Sequence, residues 1–388
     1  MRAAVHGDWS CLPEDLILII MRALAIPDLF RAGAVCASWR AACADVRRVR
    51  LALRDRHVIG SGHRWVVIAA AEAPNFQALN PLTGAQVDLP PVTGLRSLSP
   101  CPLQQKFPHS PLMLRISTYL AYLSCNPAVG SACAVLLVHQ CSGHLYFAHV
   151  GQDRWTHISR RPTLPVDSFF HGAFYVLRDS GCVYALDLNG PSPPVARAIL
   201  SGRGVAARIS LPKFSWGDIV LAPWGDILQV WRSKRRLPGA VLVDDPEAYT
   251  DSILLFKVDV DDQKLVKVSA RDLRDHALFL GFNASMCLST KDFPGMKPNC
   301  AYVTTESWRQ ICLSKFGSRE VGIWNFETRT LESLGKVQSD HPWLNWPSPI
   351  WITPSLNWHG ASNLLFFFKK NQTIVDGTIQ KIFLLEKM

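Results

Sequence analysis

Short apolar segments of strand-like composition recur between about residue 60 and residue 388. HRWVVIAA, SACAVLLVHQ, SILLFKVDV and NLLFFFKK are examples, each rich in β-branched or aromatic residues and bounded by turn-forming ones. Sequences such as NPLTG and RDSG supply turn chemistry between such runs. No helical periodicity is sustained over this region. More than ten short strands without intervening helices indicate a sandwich, a barrel or a propeller.

A degenerate internal repeat favours the propeller among these three architectures. HGAFYVLRDSG, PWGDILQVWR and RDHALFLGFN each place a polar or glycine-containing turn before an apolar strand. They recur at intervals of roughly 50 residues, which is close to the blade period of kelch-like propellers. The repeat therefore predicts an all-β, kelch-like propeller over residues 60–388, with about six to eight blades.

Residues 8–54 have a different, helical pattern. Pro13 suits the first position of a helix, and the two acids after it complement the positive end of the helix dipole. A second Pro-Asp pair marks another short helix, and FRAGAVCASWRAACADV is typical of a third. The sequence thus predicts an α+β multidomain chain, in which a three-helix module at 8–54 precedes the propeller.

The first predicted helix carries an unusually long apolar run, from Leu16 to Met21. That run is too short to cross a membrane, which takes about 20 apolar residues. A module of about 40 residues cannot normally bury enough surface to be stable alone. Such a helix must offer apolar side chains both to its own small core and to a partner protein. The alternative interpretation is that this helix lies within the core of the propeller domain.

The segment LPEDLILIIMRALAIPDLFRAGAVCASWRAAC closely resembles an F-box. That motif has Leu-Pro, an acid, a leucine, alternating aliphatic residues, and a Leu followed by Val-Cys-x-x-Trp. In F-box proteins the motif docks on a Skp adaptor. The resemblance therefore implies adaptor-binding roles for the following residues: Leu12, Pro13, Leu16, Ile20, Leu24, Leu29, Val35, Cys36 and Trp39.

The remainder of the chain resembles the plant-type KIB family, F-box proteins with a C-terminal β-propeller. Four segments carry this likeness: LNPLTGAQVDLPP, RDHALFLGFNASMCLS, FPGMKPNCAYVTT and PSPIWITPSL. The resemblance implies a substrate-receptor subunit of an SCF (Skp–cullin–F-box) ubiquitin ligase, in ubiquitin-dependent protein degradation. The F-box would bind the Skp adaptor and, through it, cullin, while the propeller recruits a protein substrate. Neither step needs chemistry from this chain, so we expect a non-catalytic adaptor without cofactors.

Two alternatives stay open at this point. The propeller could be a binding scaffold that sequesters or inhibits a partner without leading to its degradation. It could also be an enzyme or a sugar-binding domain with a vestigial F-box, which would have an acid-lined central funnel. No G-x-S-x-G elbow, H-E-x-x-H pair or kinase signature occurs in the sequence, so it identifies no catalytic residues. The substrate-binding residues are equally unidentified.

The densest group of possible metal ligands is formed by His139, Cys141, His144 and His149. These residues lack zinc-finger spacing, and a continuous strand would place His144 and His149 on opposite faces. We therefore expect ordinary packing or surface histidines and no metal site. Among the 13 tryptophans, several near strands are expected to pack between blades. Trp343, Trp346 and Trp358 lie in a loop-like segment and are candidates for a recognition surface.

The charge distribution and the cysteine usage indicate which partners and which cellular compartment to expect. The formal net charge is +10, but the basic residues are dispersed, and the clearest cluster, at 232–236, is followed by acids and is typical of a long charged loop. Nucleic-acid binding is therefore not expected. The 11 cysteines form no C-x-x-C pair, a usage typical of reduced thiols. With no signal sequence and no membrane span recognised, we expect a cytoplasmic and/or nuclear protein.

Overall fold

The strands between residues 56 and 333 form five successive sheets, each built from one continuous stretch of the chain. The computed structural model describes residues 12, 17, 20–21, 31–44, 56–70, 75–80, 84–91, 95, 119–139, 144–158, 166–170, 173–177, 181–187, 195–201, 215–235, 249–281, 285–292, 296–305, 320–333, 350–352 and 382–384. The all-β propeller predicted from the sequence is confirmed.

Blades 1 and 2 are four-stranded antiparallel meanders. Blade 1 consists of β1 (Arg56–Gly62), β2 (Trp65–Ala70), β3 (Phe76–Leu79) and β4 (Gln86–Asp88). Blade 2 consists of β5 (Tyr119–Leu123), β6 (Ala134–His139), β7 (His144–His149) and β8 (Thr156–Ile158), with a 3-10 helix, Pro127–Ala132, between β5 and β6.

Blades 3 and 4 repeat the same meander. Blade 3 consists of β9 (Val166–Phe170), β10 (Ala173–Leu177), β11 (Val183–Asp187) and β12 (Ala196–Leu200). Blade 4 consists of β13 (Ser215–Leu221), β14 (Ile227–Arg235), β15 (Tyr249–Asp259) and β16 (Lys264–Val268). A 3-10 helix, Ala270–Leu273, leads from blade 4 to blade 5.

Blade 5 departs from the meander because its second strand lies at the edge of the sheet, beside its first strand. It consists of β17 (His276–Leu280), β18 (Met286–Ser289), β19 (Cys300–Thr304), β20 (Val321–Asn325) and β21 (Thr330–Ser333). Their order in the sheet is β18-β17-β19-β20-β21, and β17 and β19 are parallel. A further two-stranded parallel sheet joins β22 (Ile350–Ile352) and β23 (Ile382–Leu384).

The predicted blade number was wrong. The described residues form five blades of four or five strands, where the sequence repeat predicted six to eight. The blades begin at Arg56, Tyr119, Val166, Ser215 and His276, and these starts are unevenly spaced, with the widest intervals before Tyr119 and before His276. A uniform period of roughly 50 residues therefore does not match the spacing of the five described blades.

The hydrophobic core lies between the blades. Four large clusters of buried side chains each combine residues of two consecutive blades, from blades 1 and 2 through to blades 4 and 5. Because each blade is covered on both faces, its middle strands are apolar at nearly every position, as in β6 and β10, where every residue is buried. The outermost strands β4, β16 and β21 are mostly exposed.

The described part of the N-terminal region is helical, as the sequence predicted. Residues 17, 20–21, 31–32 and 37–44 have helical backbone conformation. Whether there are three helices, and where each begins and ends, lies outside the described residues. No helix in the described ranges is long and apolar enough to cross a lipid bilayer.

Candidate functional site

The N-terminal module has a small core of its own. Ile17 and Met21 are fully buried, and they form one cluster with Trp39, Ala42 and Cys43. Ile17 and Met21 are one helical turn apart and therefore lie on one side of their helix. Trp39 and Cys43 have the same spacing, and the two pairs pack against each other. The long apolar run therefore contributes to a helix–helix contact within the module.

An exposed valine lies at the turn between the helical residues 31–32 and 37–44. The turn at 33–35 is closed by hydrogen bonds from the Ala34 amide to the Arg31 carbonyl (3.1 Å) and from the Val35 amide to the Ala32 carbonyl (3.1 Å). Val35 is 56% exposed, which makes it one of the most exposed large apolar residues that the structure describes. A hydrophobic side chain held outward by a closed turn can pack against another protein.

The nine predicted adaptor-binding residues fall into four groups. Trp39 lies in the core of the module, and Val35 is exposed. Leu12, Ile20 and Cys36 are partly buried against that core, so part of each side chain stays accessible. The other four lie outside the described residues: Pro13, Leu16, Leu24 and Leu29. Adaptor binding by these residues stays a prediction.

The basic cluster at 232–236 was predicted to be a charged loop, and for the described residues this was wrong. Residues up to Arg235 belong to β14, and the Arg232 side chain is completely buried. The Arg232 guanidinium donates to Thr250 Oγ1 at 2.6 Å, to the Thr304 carbonyl at 2.8 Å, and to the carboxylate of Glu320. Arg232 therefore joins blades 4 and 5 and is not available to a nucleic-acid phosphate.

Glu320 completes this buried ionic cluster. Its carboxylate also accepts from the Thr250 amide at 2.6 Å, and the Lys234 ammonium lies 3.9 Å from it. Burial raises the pKa of Glu320, but attraction to Arg232 and Lys234 and the hydrogen bonds from Thr250 outweigh burial and hold the pKa below its ordinary value. No local sequence signal could have identified this cluster, since Glu320 is 88 residues from Arg232.

The histidines of blade 2 form a row across the sheet. His139 pairs with His144 across β6 and β7, and His144 Nδ1 lies 2.9 Å from His157 Nε2 on β8. Burial, and then the charge of His144, lower the pKa of His139 to about 4, so this imidazole is neutral at pH 7. Cys141 lies outside the described residues. Within the described ranges, no three His, Cys, Asp or Glu side chains form a group that could hold a metal ion.

The expectation that tryptophans pack between blades is confirmed for Trp155, Trp231 and Trp324, each buried in an inter-blade cluster. Of the tryptophans whose side chains the structure describes, Trp224 is the one that is not buried. Its indole donates to Asp226 at 2.9 Å and is covered by the Arg274 guanidinium, 5.4 Å from the ring centre. The loop tryptophans at 343, 346 and 358 lie outside the described residues.

Arg274 adopts an unfavourable backbone conformation while its guanidinium covers the Trp224 ring. Its φ of 55° and ψ of −130° are normally adopted by glycine. The ring of Trp224 also meets His276 edge to face at 5.0 Å, and Lys257 pairs with Asp226 at 2.7 Å. The joint between blades 4 and 5 thus presents a partly accessible indole beside an exposed guanidinium. Sequence reasoning missed this surface because its residues come from separate segments.

Two family models match the chain. An F-box-like model matches residues 9–50, and a KIB1-4 beta-propeller model matches residues 38–325. Neither model describes an enzymatic domain. The predicted domain limits, 8–54 and 60–388, and the kelch-like character of the propeller stay predictions.

Similar chains were found among curated proteins and solved structures. The F-box protein SKIP23 of Arabidopsis thaliana is 22% identical over 405 residues, which cover 89% of this chain and 96% of that protein. A streptogramin B lyase structure is 11% identical and covers 72% of this chain and 82% of its own, with a TM-score of 0.31. YCF48 from Cyanidioschyzon merolae is 9% identical and covers 56% and 73%, with a TM-score of 0.27. TM-scores this low support no argument about fold or function.

The KIB1-4 beta-propeller model covers well over half of the sequence, and the five described blades agree with it. The F-box-like match coincides with the helical module and its separate core. The chain therefore belongs to the KIB1-4 beta-propeller family, as a plant-type F-box protein.

Proposed function

We propose that this protein is the substrate-receptor subunit of an SCF ubiquitin ligase. Its F-box binds a Skp adaptor and, through that adaptor, cullin, while the propeller holds a protein substrate for ubiquitination by other subunits. In this role the chain is a non-catalytic adaptor in ubiquitin-dependent degradation. It acts in the cytoplasm and/or the nucleus and needs no cofactor.

The observation that carries the proposal is the division of apolar residues within the F-box. The core of the module buries Ile17, Met21 and Trp39, whereas Val35 is 56% exposed. Leu12, Ile20 and Cys36 keep part of their surface accessible. A module of about 40 residues that leaves apolar side chains accessible is expected to gain stability from a partner. The F-box-like match over residues 9–50 makes a Skp-type adaptor the expected partner.

The test compares two substitutions of equally exposed valines. Val35 lies in the F-box and Val129 on blade 2, and each is 56% exposed. Val35→Asp places a charge where the adaptor would cover the side chain, so the affinity of the intact protein for a Skp adaptor should fall by at least about tenfold. Val129→Asp should leave that affinity unchanged. Binding is measured by titrating each purified full-length variant with the adaptor.

Two outcomes would contradict adaptor binding. Either the unsubstituted chain fails to bind a Skp adaptor, or Val35→Asp and Val129→Asp bind it equally well. Trp39→Ala is unsuitable for mapping the surface, because truncating this buried indole removes the core of the module itself, at a cost of about 3–5 kcal/mol. Circular dichroism of each variant shows whether lost binding reflects lost helical structure.

The alternative of a non-degradative scaffold differs in what happens to the captured protein. A substrate receptor lowers the abundance of its partner, and proteasome inhibition restores that abundance. A sequestering scaffold leaves partner abundance unchanged under both conditions. Proximity labelling of cells that express the full chain, with and without proteasome inhibition, distinguishes the two roles and identifies the partner.

The accessible surface around Trp224 and Arg274 is where we propose that the substrate makes contact. Trp and Arg are the residue types most enriched in binding hot spots, and Arg274 keeps its strained conformation while stacking on the indole. Strain of this kind concentrates at sites with a functional demand. The Arg274→Gly variant would relieve the strain, so it should fold at least as stably and yet lose proximity labelling of the substrate.

A further inference from the structure

Two cysteines of blade 2 lie opposite each other just beyond the paired ends of β5 and β6. The ladder aligns Leu123 with Val135, and one residue further the Ser124 amide donates to the Ala134 carbonyl at 2.9 Å. The same register places Cys125 opposite Cys133. The Ala134 amide donates to Ser124 Oγ at 2.8 Å, so Cys125 and Cys133 follow a pair that shares one backbone hydrogen bond. Opposed Cα atoms in an antiparallel pair lie about 4.5–5.5 Å apart. That separation is within the range that a disulfide spans.

The Cys133 side chain faces the backbone of Cys125, and the Cys125 thiol lies 3.8 Å from the Asn126 carbonyl oxygen. The Cys133 thiol donates to the carbonyl oxygen of Cys125 at 3.2 Å. The two thiols are also close enough for Cys125 to affect the proton affinity of Cys133. Cys125 is partly exposed and Cys133 is fully buried. An accessible thiol therefore lies beside a protected one, an arrangement in which the first can react with a small oxidant and the second can resolve the product.

The loop between the two cysteines already has a backbone geometry that is compatible with a disulfide between them. Asn126 caps the 3-10 helix Pro127–Ala132 by accepting from the Ala128 amide at 3.0 Å. The Cys133 amide donates to the Gly130 carbonyl at 2.9 Å, and Gly130 has a φ of 67° that suits glycine. The chain thus returns to β6 without rearrangement, and linking the two sulfurs requires little backbone movement.

We infer that Cys125 and Cys133 are a reversible disulfide site, oxidised by hydrogen peroxide. In the first step the Cys125 thiolate attacks one peroxide oxygen, the O–O bond breaks, and sulfenic acid and hydroxide form. In the second step the Cys133 sulfur attacks the Cys125 sulfur, the S–O bond breaks, and water leaves with the thiol proton. Two thiols and one peroxide give one disulfide and two waters, and the thiols supply both electrons.

The environment of Cys133 makes the second step slow at neutral pH. Burial raises the pKa of Cys133 to about 12, and the Cys125 thiol adds to this, although hydrogen bonds to the Cys125 backbone and to Ser124 oppose the rise. The Cys133 thiolate is therefore scarce at pH 7. The rate of disulfide closure should therefore rise about tenfold per pH unit between pH 7 and 10. Cys287 has a pKa raised to about 12 by burial as well, but it has no partner thiol among the described residues. It therefore serves as an internal control for ordinary buried thiols.

The experiment treats the full-length protein with hydrogen peroxide and then alkylates its thiols under denaturing conditions. Mass spectrometry of the peptides should show Cys125 and Cys133 jointly protected from alkylation, with protection reversed by dithiothreitol. Cys287 should remain fully alkylated. Cys125→Ser and Cys133→Ser should each abolish the joint protection, whereas Cys141→Ser should leave it intact, although Cys141 is close in sequence.

The inference is overturned if Cys125 and Cys133 are alkylated as completely as Cys287 after peroxide treatment. It is also overturned if Cys125 proceeds to sulfinic acid while Cys133 remains a thiol. Both readouts come from the unsubstituted protein, so a variant that fails to fold does not affect them. Adaptor binding by the F-box can be measured on the same samples and is independent of the result.

Discussion

Glu320 is the carboxylate at which buried cationic groups of the propeller converge. Arg232 donates to it from a fully buried position, and the Lys234 ammonium lies 3.9 Å away with its side chain 3% exposed. Hydrogen bonds from the Thr250 amide and hydroxyl satisfy its oxygens. Two buried positive charges thus face one carboxylate, and removing the charge of that carboxylate takes a negative partner from both.

We predict that Glu320→Gln lowers the free energy of unfolding at neutral pH by about 3–5 kcal/mol. The pKa of Glu320 in the folded protein lies below its ordinary value of 4.5, so its contribution to stability is complete above pH 4.5 and is lost as pH falls below that value. The difference in stability between the unsubstituted protein and the variant should therefore shrink in acid. Urea unfolding between pH 3 and pH 7 measures it.

The matched control for this prediction is Glu332→Gln. Glu332 pairs with Lys297 at 2.5 Å, but both side chains are more than half exposed. An exposed ion pair contributes at most about 1 kcal/mol, so this substitution should have a small effect. Equal losses of stability at 320 and 332 would contradict the role assigned to the buried cluster.

At the scale of single elements, the first strands of blades 1 and 2 approach each other unusually closely. A Cβ atom built on Gly60 of β1 would lie 1.9 Å from the carbonyl oxygen of Ala121 in β5. On the same strand, a Cβ on Gly62 would meet its nearest neighbour, Leu123, at 3.6 Å, an ordinary contact distance. The absence of a side chain at residue 60 is therefore what permits this inter-blade contact.

Gly60→Ala should destabilise the protein by about 1–3 kcal/mol, because the two strands must move apart to accept the methyl group. Gly62→Ala should change stability by no more than about 0.5 kcal/mol. Thermal unfolding of the two variants, followed side by side, checks the difference. A loss at residue 62 as large as the loss at residue 60 would mean that the contact between β1 and β5 does not set the cost.

The sequence identified the middle strands of the blades well and their edge strands poorly. β6, β7, β10 and β11 lie within segments predicted as strands, and β14 and β15 overlap such segments. Three groups of strands were missed: the first strands β1, β5, β9 and β13, the outer strands β4, β8, β12 and β21, and the middle strand β3. Middle strands are covered on both faces, so their sequences are continuous apolar runs. Edge strands carry polar residues or glycines, such as IGSG in β1.

At the scale of the whole molecule, Trp351 connects the last blade to the first. Its indole Nε1 donates to the Leu280 carbonyl of blade 5 at 3.0 Å, and its own carbonyl accepts from Ser61 Oγ of blade 1 at 2.8 Å. The ring is buried against Phe279, edge to face at 5.1 Å. One residue thus joins strands that are far apart in sequence, with Ser61 lying 290 positions away.

Trp351→Ala should lower the free energy of unfolding by about 3–5 kcal/mol, through lost packing and lost hydrogen bonding. Hydrogen exchange should lose protection both in β1 and in β17, since the residue contacts both. Val266→Ala, on the exposed outer strand β16, should change stability by less than about 0.5 kcal/mol. Lost protection confined to blade 5 would contradict the connecting role.

The sequence by itself determined the class of each part of the chain. The helical pattern with Val-Cys-x-x-Trp indicated the F-box, and recurring apolar strands bounded by turns indicated a propeller, because residue order directly encodes local propensity and periodicity. Only the tertiary structure decided the number of blades, the burial of Arg232 beside Glu320, and the joint at Trp351. These features depend on contacts between residues distant in sequence, and no local pattern specifies which distant segment a strand will meet.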